Sequence, residues 1–443
     1  MRLEEALAHA ADVFEPRLFS ALREEIDPDW VTEALQKTGT VTLRRRRLPA
    51  EEMIWLVIGM ALLRDRPIID VARTLDIGEG QRPADVSKSA VLQARARLGK
   101  EPLAWLFEQT AKTWAHRSAD KDRWRGLALY GVDGSTVRVP DSESNANHFG
   151  YSRSVRGESA YPLVRLVALM ALRSHLLAAA SVGPYAGSEY SDASELWKEL
   201  PGDSLCLIDR GFFSARLLLQ LFDRDKNKHW LMRTKEKMKL TVLKRLGKDD
   251  ALVDVPVSKE ARQKDPSLPK TYVARVVGYQ RKGFRPQRLI TSLLDARDYP
   301  AKELAALYHE RWELELGYAE IKTQMLDRRE SIRSKSVDGV EQELWGLLLA
   351  YNLVRLKMEH AARLAKVPPL RVSFITALRA IREEWYLDSL PGMSVGAIPR
   401  HLQRLNELLG RFVLPERRTD RSCRREVKIK MSNYPKKRRP PRS

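Results

Sequence analysis

Two short apolar segments that each lead directly into an aspartate constrain the fold of this chain more than any other feature. Residues 127–132 are followed by Asp133-Gly134, and residues 205–208 are followed by Asp209-Arg210-Gly211. Short apolar runs bounded by turn residues are typical of buried strands, and ligand-binding groups of α/β sheets gather where strands end. The pattern therefore predicts an α/β core with both aspartates at one edge of its sheet, although Asp before Gly is also a common turn former.

The segment before these strands has a helical pattern. Residues 4–106 are rich in Leu, Ala and Arg and contain few β-branched runs, which predicts an all-helical N-terminal domain over residues 1–115. Within it, residues 69–75 and 89–98 are separated by Gly78 and Gly80. This spacing is compatible with a helix-turn-helix that binds DNA, but an ordinary helical hairpin fits equally well.

The remainder of the chain can be divided into segments by the same strand-like and helix-like hydrophobic patterns. Residues 116–228 are expected to form the first part of the core, with a hairpin over residues 163–172 and 176–182. Recurrent Val, Thr and Ile predict a β-rich insertion over residues 229–296. Helices resume at Pro300, so residues 297–410 should complete the core, and residues 411–443 read as a basic, flexible tail.

The helix that begins near Pro300 carries an unusual polar stripe. Tyr308, Arg311, Glu315 and Lys322 follow the spacing Y-x2-R-x3-E-x6-K, and at about 100° per residue they fall within an arc of about 60°. The other carboxylates of this helix point elsewhere: Glu310, Glu313 and Glu320. A solvated ion pair would explain Arg311 with Glu315 but not the whole row, which suits a surface that meets phosphate.

The charge balance favours a polyanionic partner. The chain has 78 Lys and Arg against 58 Asp and Glu, a net charge of +20. Nucleic acid is the leading candidate; an anionic membrane surface is the competitor, but the longest apolar run, residues 53–63, is too short to span a bilayer. The N-terminus has no secretory signal pattern, which predicts a cytoplasmic protein. Two cysteines without zinc-like spacing favour neither a disulfide nor structural zinc, and the absence of a GxxxxGK[ST] sequence disfavours an ATP-driven motor.

The four-residue spacing resembles the signature of the insertion-sequence-four family of DDE transposases. Residues 133–136 (DGST) are similar to the first Asp motif of that family, residues 208–212 (IDRGF) to the second, and residues 343–352 (ELWGLLLAYN) to the helix after the third. In one branch of the family, a helical domain similar to residues 14–16 and 94–99 precedes the core. The resemblance thus covers most of the chain, with its motifs in the same order.

The resemblance implies a ribonuclease-H-like catalytic core with an inserted β-rich subdomain. It implies that Asp133, Asp209 and Glu315 bind two Mg²⁺ ions, with Mn²⁺ tolerated, and that Tyr308, Arg311 and Lys322 contact the DNA backbone. We interpret Asp133 as the carboxylate shared by both ions.

The activity implied is that of a bacterial insertion-sequence transposase. Such an enzyme binds terminal inverted repeats, hydrolyses phosphodiesters and joins the ends to target DNA by cut-and-paste, with hairpin ends as an expected intermediate. We expect a homodimer when two ends are paired, and a cytoplasmic, nucleoid-associated location without a membrane partner.

Two other functions remain open from the residues. A ribonuclease-H-like repair or junction nuclease would share the triad but would not join ends. A non-enzymatic DNA-binding regulator could be built from the helical N-terminus and the basic tail, and a loss of function in Asp209→Ala would argue against it. The tail itself could contact phosphate or merely solubilise the chain.

Overall fold

A layer of helices precedes the sheet. The computed structural model describes residues 22, 25–41, 48–75, 77, 86–154, 157–187, 189–235, 238–280, 286–327, 331–388 and 398–416. Within this part the first elements are α1 (Pro28–Lys37), α2 (Ala50–Leu62), α3 (Ile68–Thr74), α4 (Lys88–Leu98) and α5 (Glu101–Lys121). Side-chain caps start two of them, because Asp27 accepts from the Asp29 N–H and Ser87 accepts from the Ala90 N–H. The predicted all-helical character of this region is confirmed.

The boundary that the sequence predicted after residue 115 falls inside α5. This helix is continuous from Glu101 to Lys121 and packs against both the helical layer and the sheet. Its buried side chains include Phe107 and Trp114, which lie about two helical turns apart on the inward face. The helical layer and the core therefore share one hydrophobic core, and no linker separates them at this point.

Nine strands form one sheet, and those of its first half have the order β5-β4-β1-β6-β7. The strands of its first half are β1 (Ala128–Arg138), β4 (Leu163–Ala171), β5 (Leu177–Pro184), β6 (Ser204–Ile208) and β7 (Lys228–Arg233). A separate pair, β2 (Arg153–Ser154) and β3 (Gly157–Glu158), lies between β1 and β4 in sequence. Strands β1, β4 and β5 are antiparallel neighbours, whereas β6 and β7 run parallel to β1. This order is that of a ribonuclease-H-like core, as predicted.

Strand β1 does not end at Asp133, which corrects the sequence-based boundary. Its parallel pairing with β6 stops at Val132 opposite Ile208, but its antiparallel pairing with β4 continues to Arg138. The residues after Asp133 resemble a turn, yet long-range pairing with β4 keeps them extended, since strand formation depends on neighbours more than on local propensity. Asp133 thus lies at the point where β1 loses β6 as a neighbour.

The β-rich insertion extends the core sheet. Its strands are β8 (Thr241–Gly247), β9 (Asp250–Pro256), β10 (Thr271–Tyr279) and β11 (Gln287–Thr291), and β11 pairs antiparallel with β7. The predicted start at residue 229 falls inside β7, which pairs parallel with β6 and belongs to the core. The short helix α9 (Lys259–Lys264) links β9 to β10.

Helices cover the sheet and complete the chain. Those between the strands are α6 (Glu143–Phe149), α7 (Glu189–Leu196) and α8 (Ala215–Leu221). Those after the sheet are α10 (Ala301–Leu307), α11 (Trp312–Ala319), α12 (Val337–Ala365), α13 (Phe374–Asp388) and α14 (Ile398–Arg411). The 29 residues of α12 are mostly buried and pack against α2 and α5. The predicted end of the core at residue 410 falls near the end of α14.

Several sequence-based expectations fall on residues that the structure does not describe. Residues 14–16, Gly78 and Gly80, and residues 417–443 of the basic tail lie outside the described residues. α4 is the second helix of the predicted helix-turn-helix. Its Arg95 is buried and donates to Gln342 of α12, so this guanidinium makes its contact inside the protein. Among the described residues, no helix has the length and apolar character needed to cross a bilayer.

Candidate active site

Asp133 lies in the middle of β1, facing the helix that carries Glu315. Its Oδ1 accepts a hydrogen bond of 2.8 Å from the Gly134 N–H, which fixes the orientation of the carboxylate. Gly131, two residues earlier, allows the close approach of that helix. A Cβ at Gly131 would lie 2.8 Å from Leu314 Cδ1 and 2.9 Å from Leu172 Cδ2, closer than real Cβ contacts. The sequence thus places a residue without a side chain where α11 meets β1.

Asp209 follows β6 directly and begins a short turn. β6 is buried along its whole length, and Asp209 caps the 3-10 turn Arg210–Phe212, where its Oδ2 accepts from the Gly211 N–H at 3.0 Å. Because β1 and β6 are adjacent and parallel, the two aspartates emerge side by side at the same edge of the sheet. This juxtaposition is the one that the two apolar segments predicted.

The helix predicted from Pro300 onward is present but is not uniformly α-helical. Pro300 directly precedes α10 without a side-chain capping bond, a 3-10 turn covers Tyr308–Arg311, α11 follows, and a π-helical turn covers Glu320–Met325. A 3-10 turn tightens the helix and a π turn loosens it, so the regular angular count along the stripe does not hold across the whole segment. π turns are frequently found at functional sites.

Arg311 brings the carboxylates of this site together. Its Nη2 lies 3.0 Å from Glu315 Oε1, and its Nε lies 4.0 Å from Asp209 Oδ1. Arg311 is mostly buried, with 17% of its side chain exposed, while the Glu315 side chain is 38% exposed. The guanidinium therefore bridges the aspartate after β6 and the glutamate of α11, and Glu315 faces the sheet edge as the stripe predicted.

The electrostatics place Asp133 in the same group. Burial raises the pKa of Asp133 to about 6; the Gly134 N–H and Arg311 lower it, and the charges of Asp209 and Glu315 raise it further. Asp133 is also a neighbour of Asp209 in space, because the parallel pairing of β1 with β6 ends at Val132 and Ile208, one residue before each aspartate. Arg311 thus contacts Asp209 and Glu315 directly, and its charge also acts on Asp133.

The other two stripe residues occupy different positions. The Tyr308 side chain is buried, and its hydroxyl donates to the Ile208 carbonyl at 3.2 Å; burial raises its pKa to about 12. Lys322 lies in the π turn and is half-buried. The predicted contact of Tyr308 with DNA stays a prediction, but in this structure its hydroxyl is directed at the backbone of β6.

The carboxylates predicted to face away from the stripe do so. Glu310 pairs with Arg173 at 3.0 Å, and Glu313 Oε2 lies 2.9 Å from His175 Nε2. Glu320 contacts Arg355 and accepts from the Tyr351 hydroxyl at 2.9 Å. Sequence reasoning did not find His175 and Arg355, because their contacts with this helix span 138 and 35 residues of chain.

The donor set at the sheet edge fits hard divalent cations. Three carboxylates supply oxygen ligands, the type that Mg²⁺ prefers, and Arg311 sets one positive charge against two of them. In the part of the chain that the structure describes, no three His, Cys, Asp or Glu side chains are grouped closely enough to hold one metal ion. Arg311 lies between Asp209 and Glu315, so ion binding would require these two carboxylates to exchange their contacts with its guanidinium for contacts with the ion.

The protein belongs to the ribonuclease-H-like class, because acidic residues lie at adjacent strands of such a sheet and on a helix that follows. Family models agree with it: "Insertion element 4 transposase N-terminal" matches residues 16–108, and "Transposase DDE domain" matches residues 125–353. The second match alone covers more than half of the chain.

One relative of known name matches nearly the whole chain, and a second matches about half of it. "Transposase InsG for insertion sequence element IS4" of Escherichia coli (strain K12) is 39% identical over 418 residues, which span 94% of this chain and 93% of that protein. "Putative transposase InsZ" of the same organism is 38% identical over 212 residues, 47% of this chain and 69% of that protein.

A solved structure is also similar. The cryo-EM structure of the piggyBac transposase synaptic complex with hairpin DNA has a TM-score of 0.45 and 10% sequence identity, covering 92% of this chain and 87% of that chain.

The chain belongs to the insertion-sequence-four (IS4) family of DDE transposases. It is therefore a transposase that acts on DNA, and its DDE domain implies the use of divalent metal ions. The resemblance found in the sequence motifs is confirmed, as are the fold class and the type of enzyme.

Proposed function

We propose that this transposase binds the terminal inverted repeats of its element and catalyses phosphodiester hydrolysis and strand transfer by cut-and-paste. Asp133, Asp209 and Glu315 would hold two Mg²⁺ ions, with Mn²⁺ as a substitute. The observation that carries the proposal is the position of Arg311 between Asp209 and Glu315, with Asp133 beside Asp209 where the pairing of β1 with β6 ends. Bound ions would supply activation of the attacking oxygen and stabilisation of the leaving oxygen.

The residues of the chain have separable roles in this proposal. Asp133 and Asp209 are rigid ligands, because main-chain N–H groups orient both carboxylates. Glu315 is more exposed and can move toward an ion or toward Arg311. With ions bound, the Arg311 guanidinium is free to exchange a carboxylate for a DNA phosphate, for which its forked geometry is suited.

Lys322 completes the proposed DNA contacts, as a point charge on the phosphate backbone. A DNA contact by the Tyr308 hydroxyl is the alternative to the hydrogen bond that it donates to Ile208. Arg311→Ala should then weaken binding to DNA ends and reduce the dependence of log K on log salt by about 1.

The proposal is tested by a joining assay with the purified full chain. The protein is mixed with Mg²⁺, DNA bearing the element's terminal repeats, and a target plasmid. We expect joined products with the wild type and with Glu310→Gln, a control on the same helix that pairs with Arg173. We expect neither cleavage nor joining with Asp133→Asn, Asp209→Asn or Glu315→Gln, although these variants should still bind DNA.

The outcomes separate the possible functions. Cleavage by the three variants would contradict the assignment of the triad. Cleavage by the wild type without joining would favour a ribonuclease-H-like nuclease. Hairpin ends, detected on denaturing gels as a strand of doubled length, would support the proposed hairpin intermediate.

Pairing of two ends also predicts the oligomeric state. A homodimer on DNA is proposed because two ends must be held at once, each by an active site. Light scattering of the protein with and without end DNA measures this directly. A complex with one protein chain and two DNA ends would contradict the homodimer.

A further inference from the structure

We infer that Tyr318 and Tyr308 are positioning residues that set the two catalytic aspartates relative to Glu315. Both tyrosines belong to the helical segment that carries Glu315, and each donates its hydroxyl to a backbone carbonyl at an aspartate-bearing strand. The inference rests on the proposed function, since it concerns the spacing of the carboxylates that would bind ions.

Tyr318 fixes the position of Asp133. Its hydroxyl donates to the carbonyl of Asp133 itself at 2.6 Å, and only 6% of the residue is exposed. It lies three residues after Glu315, nearly one helical turn along α11. The Tyr318 ring therefore spans the gap between α11, which carries Glu315, and β1, which carries Asp133.

Tyr308 makes the equivalent contact with the second strand. Its hydroxyl donates to the carbonyl of Ile208, the last residue of β6 and the one before Asp209. Tyr308 is 7% exposed and lies seven residues before Glu315. The two tyrosines thus flank Glu315 on one segment, one contacting β6 and the other β1.

The sheet alone does not fix the spacing of the two aspartates. Pairing between β1 and β6 ends at Val132 and Ile208, one residue before each aspartate. Beyond that point β1 continues along β4, while the chain after β6 enters a 3-10 turn. A shared support is needed to hold both backbones in place, and the tyrosine-bearing helix contacts both.

This geometry gives the tyrosines a role different from that of core packing. Loss of a hydroxyl leaves the ring in place, so packing is preserved, but the backbone of the aspartate can shift. Two-ion sites require ligands held within fractions of an ångström, so small shifts should weaken ion binding and slow the chemical step. Affinity for DNA without ions should not change.

The test measures ion binding, DNA binding and catalysis separately. Tyr318→Phe and Tyr308→Phe are compared with the wild type by calorimetric titration with Mn²⁺, by DNA binding in EDTA, and by kcat and KM for end cleavage. We expect each variant to weaken Mn²⁺ binding by about five- to tenfold, the fold-change of one lost hydrogen bond, and to lower kcat with KM unchanged.

Tyr130→Phe is the matched control. Tyr130 is a fully buried tyrosine of the same strand β1, and its hydroxyl forms a hydrogen bond of 2.7 Å with His116 Nδ1, away from the site. This variant should lose a similar amount of thermal stability while Mn²⁺ affinity and kcat stay at wild-type values. The same result for Tyr318→Phe would overturn the inference, because it would show a purely structural role.

The remaining outcomes are also decisive. A rise in KM for Tyr308→Phe with unchanged Mn²⁺ affinity would make Tyr308 a DNA contact and overturn its positioning role. Asp133→Asn, titrated in parallel, should abolish the binding that the wild type shows. Equal Mn²⁺ binding by wild type and Asp133→Asn would instead overturn the proposed ion site, and with it the inference.

Discussion

Glu320→Ala should destabilise the protein by about 3–5 kcal/mol, because it leaves the buried Arg355 without its counter-charge. Only 2% of the Arg355 side chain and 19% of the Glu320 side chain are exposed. Glu320 also accepts from Tyr351 at 2.9 Å and lies 3.4 Å from His175 Nδ1. This network joins the π turn to α12 and to the bend between β4 and β5.

The pH dependence gives a second measure of the same interaction. Burial alone would raise the pKa of Glu320, but Arg355 and His175 lower it from 4.5 to about 2. Because the folded pKa lies below the unfolded one, this stabilisation is present above about pH 5 and is lost as the pH falls toward 2. A pKa difference of this size corresponds to about 3 kcal/mol, in agreement with the estimate for removing the carboxylate.

Thermal unfolding of the full chain tests the prediction. At about 2.1 cal/mol/K per residue, a loss of 3–5 kcal/mol should lower the Tm of the 443-residue chain by about 3–5 °C at pH 7. Glu310→Ala is the matched control on the same segment; its ion pair with Arg173 is half-exposed and should be worth less than about 1 kcal/mol.

A double mutant refines the test. Glu320→Ala combined with Arg355→Met removes both charges and should cost about 2 kcal/mol less than the sum of the single changes. A strong buried pair is contradicted if Glu320→Ala is no more destabilising than Glu310→Ala, or if the effects of the two single changes simply add.

Three further changes have defined outcomes in the same unfolding assay. Glu343→Ala leaves two arginines without the buried carboxylate that they contact and should cost about 3–5 kcal/mol, whereas Glu303→Ala removes a solvent-exposed pair and should cost far less. Gly346→Ala would place a Cβ 2.6 Å from Val57 Cγ1 between α12 and α2, costing about 1–3 kcal/mol. Asp133→Asn should stabilise the ion-free protein in EDTA at pH 7.5 but not at pH 4, because burial raises the pKa of this carboxyl from 3.8 to about 6, so the stability of the wild type falls as the pH rises from about 4 through 6.

The parts of the site that the sequence predicted well are those set by local patterns. Residues 205–208 are apolar on both faces, which is typical of a strand buried between layers, and Asp209 after them had to emerge at its end. The helix face on which Glu315 lies could be predicted from the 3.6-residue period, because Glu315 belongs to the regular α-helix between the 3-10 turn and the π turn.

The parts that the sequence did not predict depend on contacts between distant residues. The sequence 133–136 has the character of a turn, and only pairing with β4 shows that it is strand. The π turn at Glu320 coincides with its contacts to Arg355, 35 residues later in the chain. A tyrosine three residues after Glu315 was visible, but nothing local indicated that its hydroxyl would reach the backbone of Asp133.

The insertion contacts the start of the helical segment that carries Glu315, as well as the sheet. Arg275 of β10 is fully buried, pairs with Asp250 of β9 at 2.6 Å, and donates to the carbonyls of Asp295 and Tyr299 at 3.1 and 2.7 Å. Those carbonyls lie just before Pro300, where α10 begins. Because this arginine is buried and bidentate, it fixes the insertion strands to the beginning of this segment. The same segment contacts β6 through Tyr308 and β1 through Tyr318, so the insertion, the helix and the strands that lead into Asp133 and Asp209 form one continuous set of contacts.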